Sequence, residues 1–176
     1  MRKILRNRLA LSTVVTTLII LVVSVLLAGV VTYFAINVVS TRVQQESLQL
    51  SFAHVWVDSA GHSQAAILVK NTGGRDVVIN AIQVRGIAGT FGTNVFTNAA
   101  STNPGALDAT GLAGITATTS GKPVILASGG TLQVYINHPT SVSINDVGTT
   151  IGITCFTAQA MYYQETNIQT TAVDLT

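Results

Sequence analysis

Residues 11–39 read LSTVVTTLIILVVSVLLAGVVTYFAINVV, and this stretch decides how the chain is organised. No charged residue occurs between Arg8 and Arg42, and the stretch contains no proline and a single glycine, Gly29. A membrane-spanning helix needs about 20 mostly apolar residues. In lipid the backbone polar groups must bond to one another, which favours a helix over an isolated strand. The sequence therefore predicts one membrane-spanning helix.

The charges of this 176-residue chain are few and unevenly placed. Charged residues make up 9% of the sequence, whereas soluble domains contain about 25%. The formal net charge is +2, and four of the nine cations precede the apolar stretch: Arg2, Lys3, Arg6 and Arg8. The remainder has five cations and seven acids, so no nucleic-acid-binding body is expected. The positive-inside rule places the N-terminal end in the cytoplasm and the rest outside.

The apolar stretch differs from a removable secretory signal. Such signals have an apolar run of about 7–15 residues followed by a small-x-small cleavage site, and this longer run ends without one. Arg42 and Glu46 have the i, i+4 spacing of a helical ion pair. We therefore expect the helix to extend from Leu11 to about Ser47, beyond the membrane. A plain single-pass anchor remains an alternative.

Small side chains recur along one side of this helix. They fall within a sector of about 100° and form what we call the packing seam: Thr13, Thr17, Ser24, Ala28, Thr32 and Ala35. Small residues let helices approach closely in lipid, and hydroxyl groups bond across helices or back to the i−4 carbonyl. The seam predicts helix-to-helix packing, although Ser, Thr and Ala are common in any spanning helix.

Residues 6–38 read RNRLALSTVVTTLIILVVSVLLAGVVTYFAINV. They consist of a basic leader followed by Leu-Ser-Thr-Val-Val and a long apolar helix. This arrangement resembles the class III leader and core helix of archaeal type IV pilins and the related archaellins. The resemblance implies that a prepilin peptidase cuts between Ala10 and Leu11, on the cytoplasmic side. It also implies that the helices of many copies then bundle as a filament core, assembled by ATP-driven membrane machinery.

Two positions depart from the pattern of that family. Leu9 lies immediately before Ala10, where a cation is usual, and Val15 occupies the fifth mature position, where many pilins have glutamate. The bond between Arg8 and Leu9 is therefore the second choice for cleavage. The resemblance is specific to residues 6–47 and only architectural beyond them.

From Leu48 onward the apolar residues alternate, as in strands. The first run, LQLSFAHVWV, is predicted to place Leu48, Leu50, Phe52 and Trp56 on one face, which His54 interrupts. The turn Asn71-Thr-Gly-Gly-Arg75 is predicted to join two strands as a hairpin with positive-φ glycines. The other strand-like runs cover residues 64–71, 76–86, 123–126, 131–137, 141–144 and 149–163. About seven short strands predict an immunoglobulin-like β-sandwich over residues 48–176, and hence an α+β fold.

Three further features of this outer domain leave choices open. Residues 87–122 are rich in small polar residues and are expected to contain irregular strands, such as Gly114–Thr118, or to pack on a neighbouring subunit, with a flexible loop as the alternative. Trp56 is either a core residue or a subunit contact. Cys155 has no partner for a disulfide and is expected to be a small buried residue.

Residue types suited to catalysis or metal binding do not form a recognised pattern. Asp58, His62 and Ser63 contain the residue types of a nucleophilic triad, but they lie within six residues of one predicted turn, whereas a triad converges from separate elements. The histidines, His54, His62 and His138, lack metal-ligand spacing. The acids Asp76, Asp108, Asp146, Glu165 and Asp174 are isolated, and Gly86, Gly89 and Gly92 do not match a phosphate loop. We predict no catalytic, cofactor or metal site.

The sequence thus favours a structural role. The main hypothesis is a subunit of an archaeal surface filament, a homo-oligomer that resides in the cell membrane before assembly and at the cell surface afterwards. A pilus used for adhesion is favoured over an archaellum. The alternative is a monomeric, single-pass surface protein whose β-sandwich binds a ligand. A surface with few charges tends to associate, which suits a polymer.

Overall fold

The computed structural model describes residues 2–43, 45–99, 107, 109–110 and 123–175. The chain divides into two compact units, Met1–Val43 and Gln44–Thr176. The first is a single helix, α1 (Arg2–Val43), and the second, here called the β-domain, is built from strands. The predicted fold class is therefore confirmed: an α+β chain with a long apolar N-terminal helix followed by a β-sandwich-like domain.

Helix α1 is apolar over most of its length. The 30 residues Ser12–Thr41 have a mean hydropathy of 2.9 and are long and apolar enough to cross a membrane. The helix ends at Val43 rather than near Ser47. Residues 45–47 are not helical, because the Ser47 carbonyl accepts hydrogen bonds from the backbone N–H groups of Thr72 and Gly73 at 2.9 and 3.1 Å. Glu46 therefore lies outside the helix in which it was expected to pair with Arg42.

The described residues of the β-domain form nine strands and one short 3-10 helix. The strands are β1 (Leu48–Val57), β2 (Ser63–Asn71), β3 (Val77–Val84), β4 (Ile87–Ala88), β5 (Val95–Ala99), β6 (Val124–Leu126), β7 (Thr131–Asn137), β8 (Thr150–Thr157) and β9 (Met161–Thr170). The 3-10 helix is Ile144–Asp146 and precedes β8.

The strands form two sheets that share β9. In the first sheet the order is β9, β1, β2, β7, β5, with β9 parallel to β1 and the other pairs antiparallel. In the second sheet β3 pairs with β4, β6 and β8, and β8 pairs with β9, all antiparallel. Residues 161–167 of β9 pair with β8 and residues 168–170 pair with β1. Strand β9 therefore links the two layers.

The main core lies between the sheets and is rich in β-branched side chains. Alternate residues of β2 contribute Ala65, Ile67 and Val69, which pack in one cluster with Ile79 and Ile82 of β3. Such alternation is the expected pattern for a face buried in a sandwich. Buried Val, Ile and Leu side chains each stabilise the fold by about 1.5–3 kcal/mol, and no disulfide contributes because Cys155 is the only cysteine.

A second, smaller cluster covers the opposite face of the first sheet. We call it the Trp56 cluster, and its buried members are Trp56, Ala66, Leu68, Leu107, Tyr135 and Leu175. Trp56 is 7% exposed. Because Leu175 comes from the C-terminal segment, that segment buries a face of β2 that alternation alone would leave in solvent. The structure therefore places Trp56 in the interior of the fold.

Strand β1 departs from the predicted alternation at a β-bulge. The register with β2 shifts between Ser51 and His54, and Phe52 has a φ of +51°. The shift leaves Phe52 55% exposed and directs Val55 and Val57 into the main core. The prediction that Leu48, Leu50, Phe52 and Trp56 share one face is therefore wrong, because an inserted residue reverses the faces beyond it.

The predicted hairpin at residues 71–75 is also wrong. Strand β2 pairs with β1 and β7, whereas β3 lies in the second sheet. The turn therefore crosses between layers, and the glycines with positive φ lie elsewhere among the described residues. Gly73 is required for a different reason. A Cβ atom there would lie 2.7 Å from the Gln45 carbonyl oxygen and 2.8 Å from the Ser47 nitrogen.

Two other strand predictions differ from the structure. Residues 141–144 were expected to form a strand, but they lead into the 3-10 helix, where the N–H and Oγ–H groups of Ser143 donate to Asp146 Oδ2 at 3.0 and 2.8 Å. Residues 149–163 were expected to form one run, but it is divided between β8 and β9 by a turn. Thr157 closes that turn by donating from its hydroxyl to the Ala160 carbonyl at 2.9 Å.

The low-charge stretch 87–122 contains regular structure at its start. Strand β5 pairs with β7 as the edge of the first sheet, and Leu107 belongs to the Trp56 cluster. The expected strand Gly114–Thr118 lies outside the described residues.

Candidate functional site

The packing seam lies on α1, and its hydroxyl groups bond within the helix. Thr17 donates to the Val14 carbonyl at 2.9 Å, and Ser24 and Thr32 donate to the carbonyls four residues earlier, each at 2.7 Å. The hydroxyl groups of these side chains are therefore hydrogen-bonded without a second helix. Their contribution to packing would be their small size, which lets a neighbouring helix approach closely. Packing along the seam and cleavage between Ala10 and Leu11 both stay predictions.

The most organised polar cluster surrounds Asp58, between β1 and β2. Its Oδ1 accepts from the backbone N–H groups of Ala60 and His62 at 2.9 and 2.8 Å. Its Oδ2 accepts from the Leu175 N–H at 3.2 Å and lies 3.0 Å from His62 Nδ1. Asp58 is 5% exposed. One carboxylate thus fixes the turn between two strands and ties the C-terminal segment to it.

The ionisation of Asp58 follows from these contacts. Burial raises the pKa of its carboxyl group, but hydrogen bonds from the backbone of Leu175 and His62, and then from the His62 side chain, outweigh burial and lower the pKa to about 2. A carboxylate that accepts several N–H bonds is stabilised in its charged form. Asp58 is therefore an anion at neutral pH.

The triad residue types do not form a triad. Asp58 and His62 are paired, but the Ser63 hydroxyl donates to the Pro139 carbonyl at 3.2 Å. The ring of His54 stacks on Trp56 with centroids 5.3 Å apart, and the ring of His138 meets that of His62 edge-on at 5.1 Å. This geometry gives a hydrogen-bonded turn and supplies no activated nucleophile.

Asp174 joins the Asp58 turn although it is far away in sequence. Ligand atoms of Asp58, His62 and Asp174 all lie within 4.8 Å of one another. By spacing along the chain alone, Asp174 is an isolated acid. The one local signal is the pair Asp174-Leu175 after the last strand. An apolar residue such as Leu175 can pack against the sheet and so bring the neighbouring Asp174 close to it.

Three of the other acids in the described part of the chain serve as structural acceptors, whereas Glu46 Oε1 is buried there without a hydrogen-bond partner. Asp76 accepts from the Ser128 N–H at 3.0 Å, and Glu165 accepts from the Tyr163 hydroxyl at 3.2 Å. Arg85 forms an ion pair with Asp146 at 2.9 Å. Asp108 lies outside the described residues. Gly86 has a φ of +82° next to Arg85 at +49°, so these two residues form the turn of the β3–β4 hairpin.

Cys155 is a shielded thiol in β8. It is 1% exposed in the main core, and burial, followed by the negative charge of Glu46, raises its pKa from 9.0 to about 12. Since the thiolate is the reactive form, this cysteine is suited to packing and not to chemistry.

The Cys155 pKa leads to a prediction about alkaline stability. Between pH 9 and 11 the unfolded thiol loses its proton while the folded thiol keeps it, so the folded state is progressively disfavoured. We expect the free energy of unfolding of the wild type to fall more steeply with pH than that of Cys155→Ala, by about 1.4 kcal/mol per pH unit. Denaturant titrations of both proteins at several pH values test this. Equal slopes would contradict the assignment.

Comparisons with known proteins give little beyond the architecture. No protein-family model and no curated protein matches this chain. Among solved structures it is similar to the ligand binding region of Serine-glutamate repeat protein A (SgrA) of Enterococcus faecium, with a TM-score of 0.35 and 12% sequence identity. The match covers 73% of this chain and 98% of that chain. A likeness this distant carries no argument about function.

Proposed function

We propose that this chain is a cell-surface protein held in the membrane by α1, with the β-domain outside, and that it assembles through α1 into a type IV pilus-like filament. The observation that carries the proposal is the segment Ser12–Thr41, which has no charged residue, a mean hydropathy of 2.9 and exposed side chains. A helix that is apolar on all sides needs either lipid or other helices around it.

The length of the apolar segment favours a second environment besides lipid. Thirty residues at about 1.5 Å each extend roughly 45 Å, against a hydrocarbon core of about 30 Å. Tilt alone would need about 48°, whereas spanning helices tilt by roughly 0–40°. The ends of the segment therefore reach the headgroup layer, and packing among copies of the same helix would cover them.

The charges of the basic leader support the proposal that the helix moves from lipid to a filament core once the leader is cleaved off. Cleavage between Ala10 and Leu11 would remove Arg2, Lys3, Arg6 and Arg8, the four cations that precede the segment. An unpaired charge in an apolar helix bundle is costly, so the uncleaved chain suits the membrane and the cleaved chain suits a filament core. A membrane peptidase and assembly machinery are the partners that this proposal requires.

A second candidate is a monomeric anchored protein whose β-domain binds a ligand. The observation in its favour is that Thr17, Ser24 and Thr32 already bond to carbonyls of their own helix. Their hydroxyls therefore need no partner helix, and α1 is self-sufficient in lipid. An archaellum subunit is a variant of the first proposal, with the same core and a different use.

The N-terminal residue of the protein on cells separates the candidates. We expect material sheared from the surface of producing cells to contain filaments and to begin at Leu11. Replacement of Ala10 by glutamate should block both maturation and filaments. An intact Met1 recovered only in detergent extracts would support the anchored monomer, and normal filaments from Ala10→Glu would contradict the proposed cut.

A further inference from the structure

We propose that Asp58, His62 and Asp174 bind a divalent transition-metal ion such as Zn²⁺. The three side chains come from two distant parts of the chain, the turn between β1 and β2 and the segment after β9, and their ligand atoms all lie within 4.8 Å of one another. This site belongs to the β-domain and does not depend on filament assembly.

Two of the ligands are already held in place. Asp58 is oriented by N–H groups of Ala60 and His62 on one oxygen and by Leu175 on the other. His62 Nδ1 lies 3.0 Å from Asp58 Oδ2. Two ligands at about 2.0–2.1 Å from a tetrahedral zinc are roughly 3.3 Å apart. A metal ion could therefore take the place of the hydrogen between His62 Nδ1 and Asp58 Oδ2 if the distance between these two atoms increased by a few tenths of an ångström.

The third ligand is an exposed carboxylate on an anchored stretch of backbone. Asp174 lies in the C-terminal segment between Val173 and Leu175, both of which pack in or against the Trp56 cluster. The backbone on either side is therefore anchored while the carboxylate is at the surface. Coordination through Nδ1 places the imidazole proton of His62 on Nε2, which is the usual requirement for a neutral histidine ligand.

A neighbouring imidazole offers an independent sign of a missing partner. His138 Nε2 is buried and has no hydrogen-bond partner in the described part of the protein, and its ring lies 5.1 Å from that of His62. Its backbone has a φ of +47°, and its N–H donates to the Ser63 carbonyl at 2.8 Å. Buried polar atoms without partners usually mark an ordered water or ion. Because its ring is in contact with that of His62, this nitrogen is a candidate partner for a water bound beside the metal.

The ligand set selects the class of metal. Imidazole nitrogen combined with carboxylate oxygen suits zinc, copper, nickel or iron, whereas magnesium and calcium prefer oxygen ligands alone. A bound ion would cross-link the C-terminal segment to the β1–β2 turn. It would thereby hold Leu175 of that segment in the Trp56 cluster. Its role is therefore structural stabilisation of the exposed domain.

The test uses the full chain in detergent, freed of metal with a chelator. We expect zinc sulfate to bind at one site per chain in a calorimetric titration and to raise the melting temperature, whereas magnesium chloride does neither. Asp174→Asn should weaken zinc binding at least about tenfold, and it is the decisive variant because the residue is exposed and its replacement preserves shape. His62→Gln should have a similar effect.

His54→Gln is the matched control, since His54 stacks on Trp56 outside the cluster. It should bind zinc as the wild type does. Absence of saturable zinc binding, or wild-type affinity in Asp174→Asn, would overturn the proposal. Equal weakening in His54→Gln and His62→Gln would show adventitious binding by histidines and would overturn it as well. Folding of each variant is checked from its melting curve in chelator, so a binding loss cannot be confused with unfolding.

Discussion

Replacing Asn71 with alanine is expected to destabilise the β-domain by about 3 kcal/mol. The side chain is completely buried. Its Nδ2 donates to the carbonyls of Arg75 and Leu126 at 2.8 and 3.1 Å, and its Oδ1 accepts from the Gly73 N–H at 3.0 Å. Alanine removes the donor of the Arg75 and Leu126 carbonyls at the place where the chain crosses between sheets, whereas the Gly73 N–H keeps its bond to the Ser47 carbonyl. A buried group that loses its partner costs about 1–3 kcal/mol.

Denaturant unfolding of the full chain in detergent measures this loss, and the melting temperature should fall by on the order of 10 °C. Asn71→Asp keeps the acceptor for Gly73 but sets an oxygen against the Arg75 and Leu126 carbonyls, so it should be at least as harmful. The control is Asn80→Ala in β3, where the side chain is exposed and the change should stay within about 0.5 kcal/mol. A similarly small change in Asn71→Ala would contradict the assigned role of its hydrogen bonds.

The importance of Asn71 shows what a sequence pattern omits. The run Asn71-Thr-Gly-Gly-Arg75 has the composition of a hairpin turn, and turn composition is a local property. Which strands the turn connects is a tertiary property. Here β2 is already paired on both edges by β1 and β7, so β3 has to join the other sheet, and Asn71 bonds to Leu126 across the gap.

Composition and apolar patterning were sufficient to predict the long N-terminal helix and most of the strands. An uncharged stretch of this length has few alternatives to a helix in lipid, and alternating apolar runs predicted the positions of most strands. The bulge in β1 could not be located from the sequence, because His54 interrupts the predicted apolar face without showing that an extra residue is inserted. Only the pairing with β2 shows where the extra residue lies.

The candidate metal cluster was hidden for the same reason. His62 and Asp58 are four residues apart, and the sequence identified them as residues of one turn. Asp174 reaches them because Leu175 donates to Asp58 Oδ2 and is buried beside Trp56. A contact between segments more than a hundred residues apart is set by the whole fold. Local spacing cannot reveal it.

Enlarging the packing seam is expected to abolish filaments while leaving the protein in the membrane. In Ala28→Leu, three added carbon atoms would separate helices that meet along the seam, and overpacking costs about 1–3 kcal/mol at each contact. That cost corresponds to roughly a 5- to 150-fold weaker association, and it recurs in every subunit of the polymer. In lipid, which adapts to the side chain, the larger residue remains favourable, so insertion should not change.

The matched control is Val30→Leu, which adds volume roughly 150° away from the centre of the seam. Filaments sheared from equal numbers of producing cells are counted by electron microscopy, and insertion is measured as resistance to alkaline extraction. We expect few or no filaments from Ala28→Leu, near-normal numbers from Val30→Leu, and equal membrane fractions for both. Equal filament loss in the two variants would show that the seam has no special role. The Ala28 carbonyl already accepts a hydrogen bond from Thr32 of the same helix, and neither substitution changes a polar side chain. The comparison therefore tests the shape of the seam and not its hydrogen bonding.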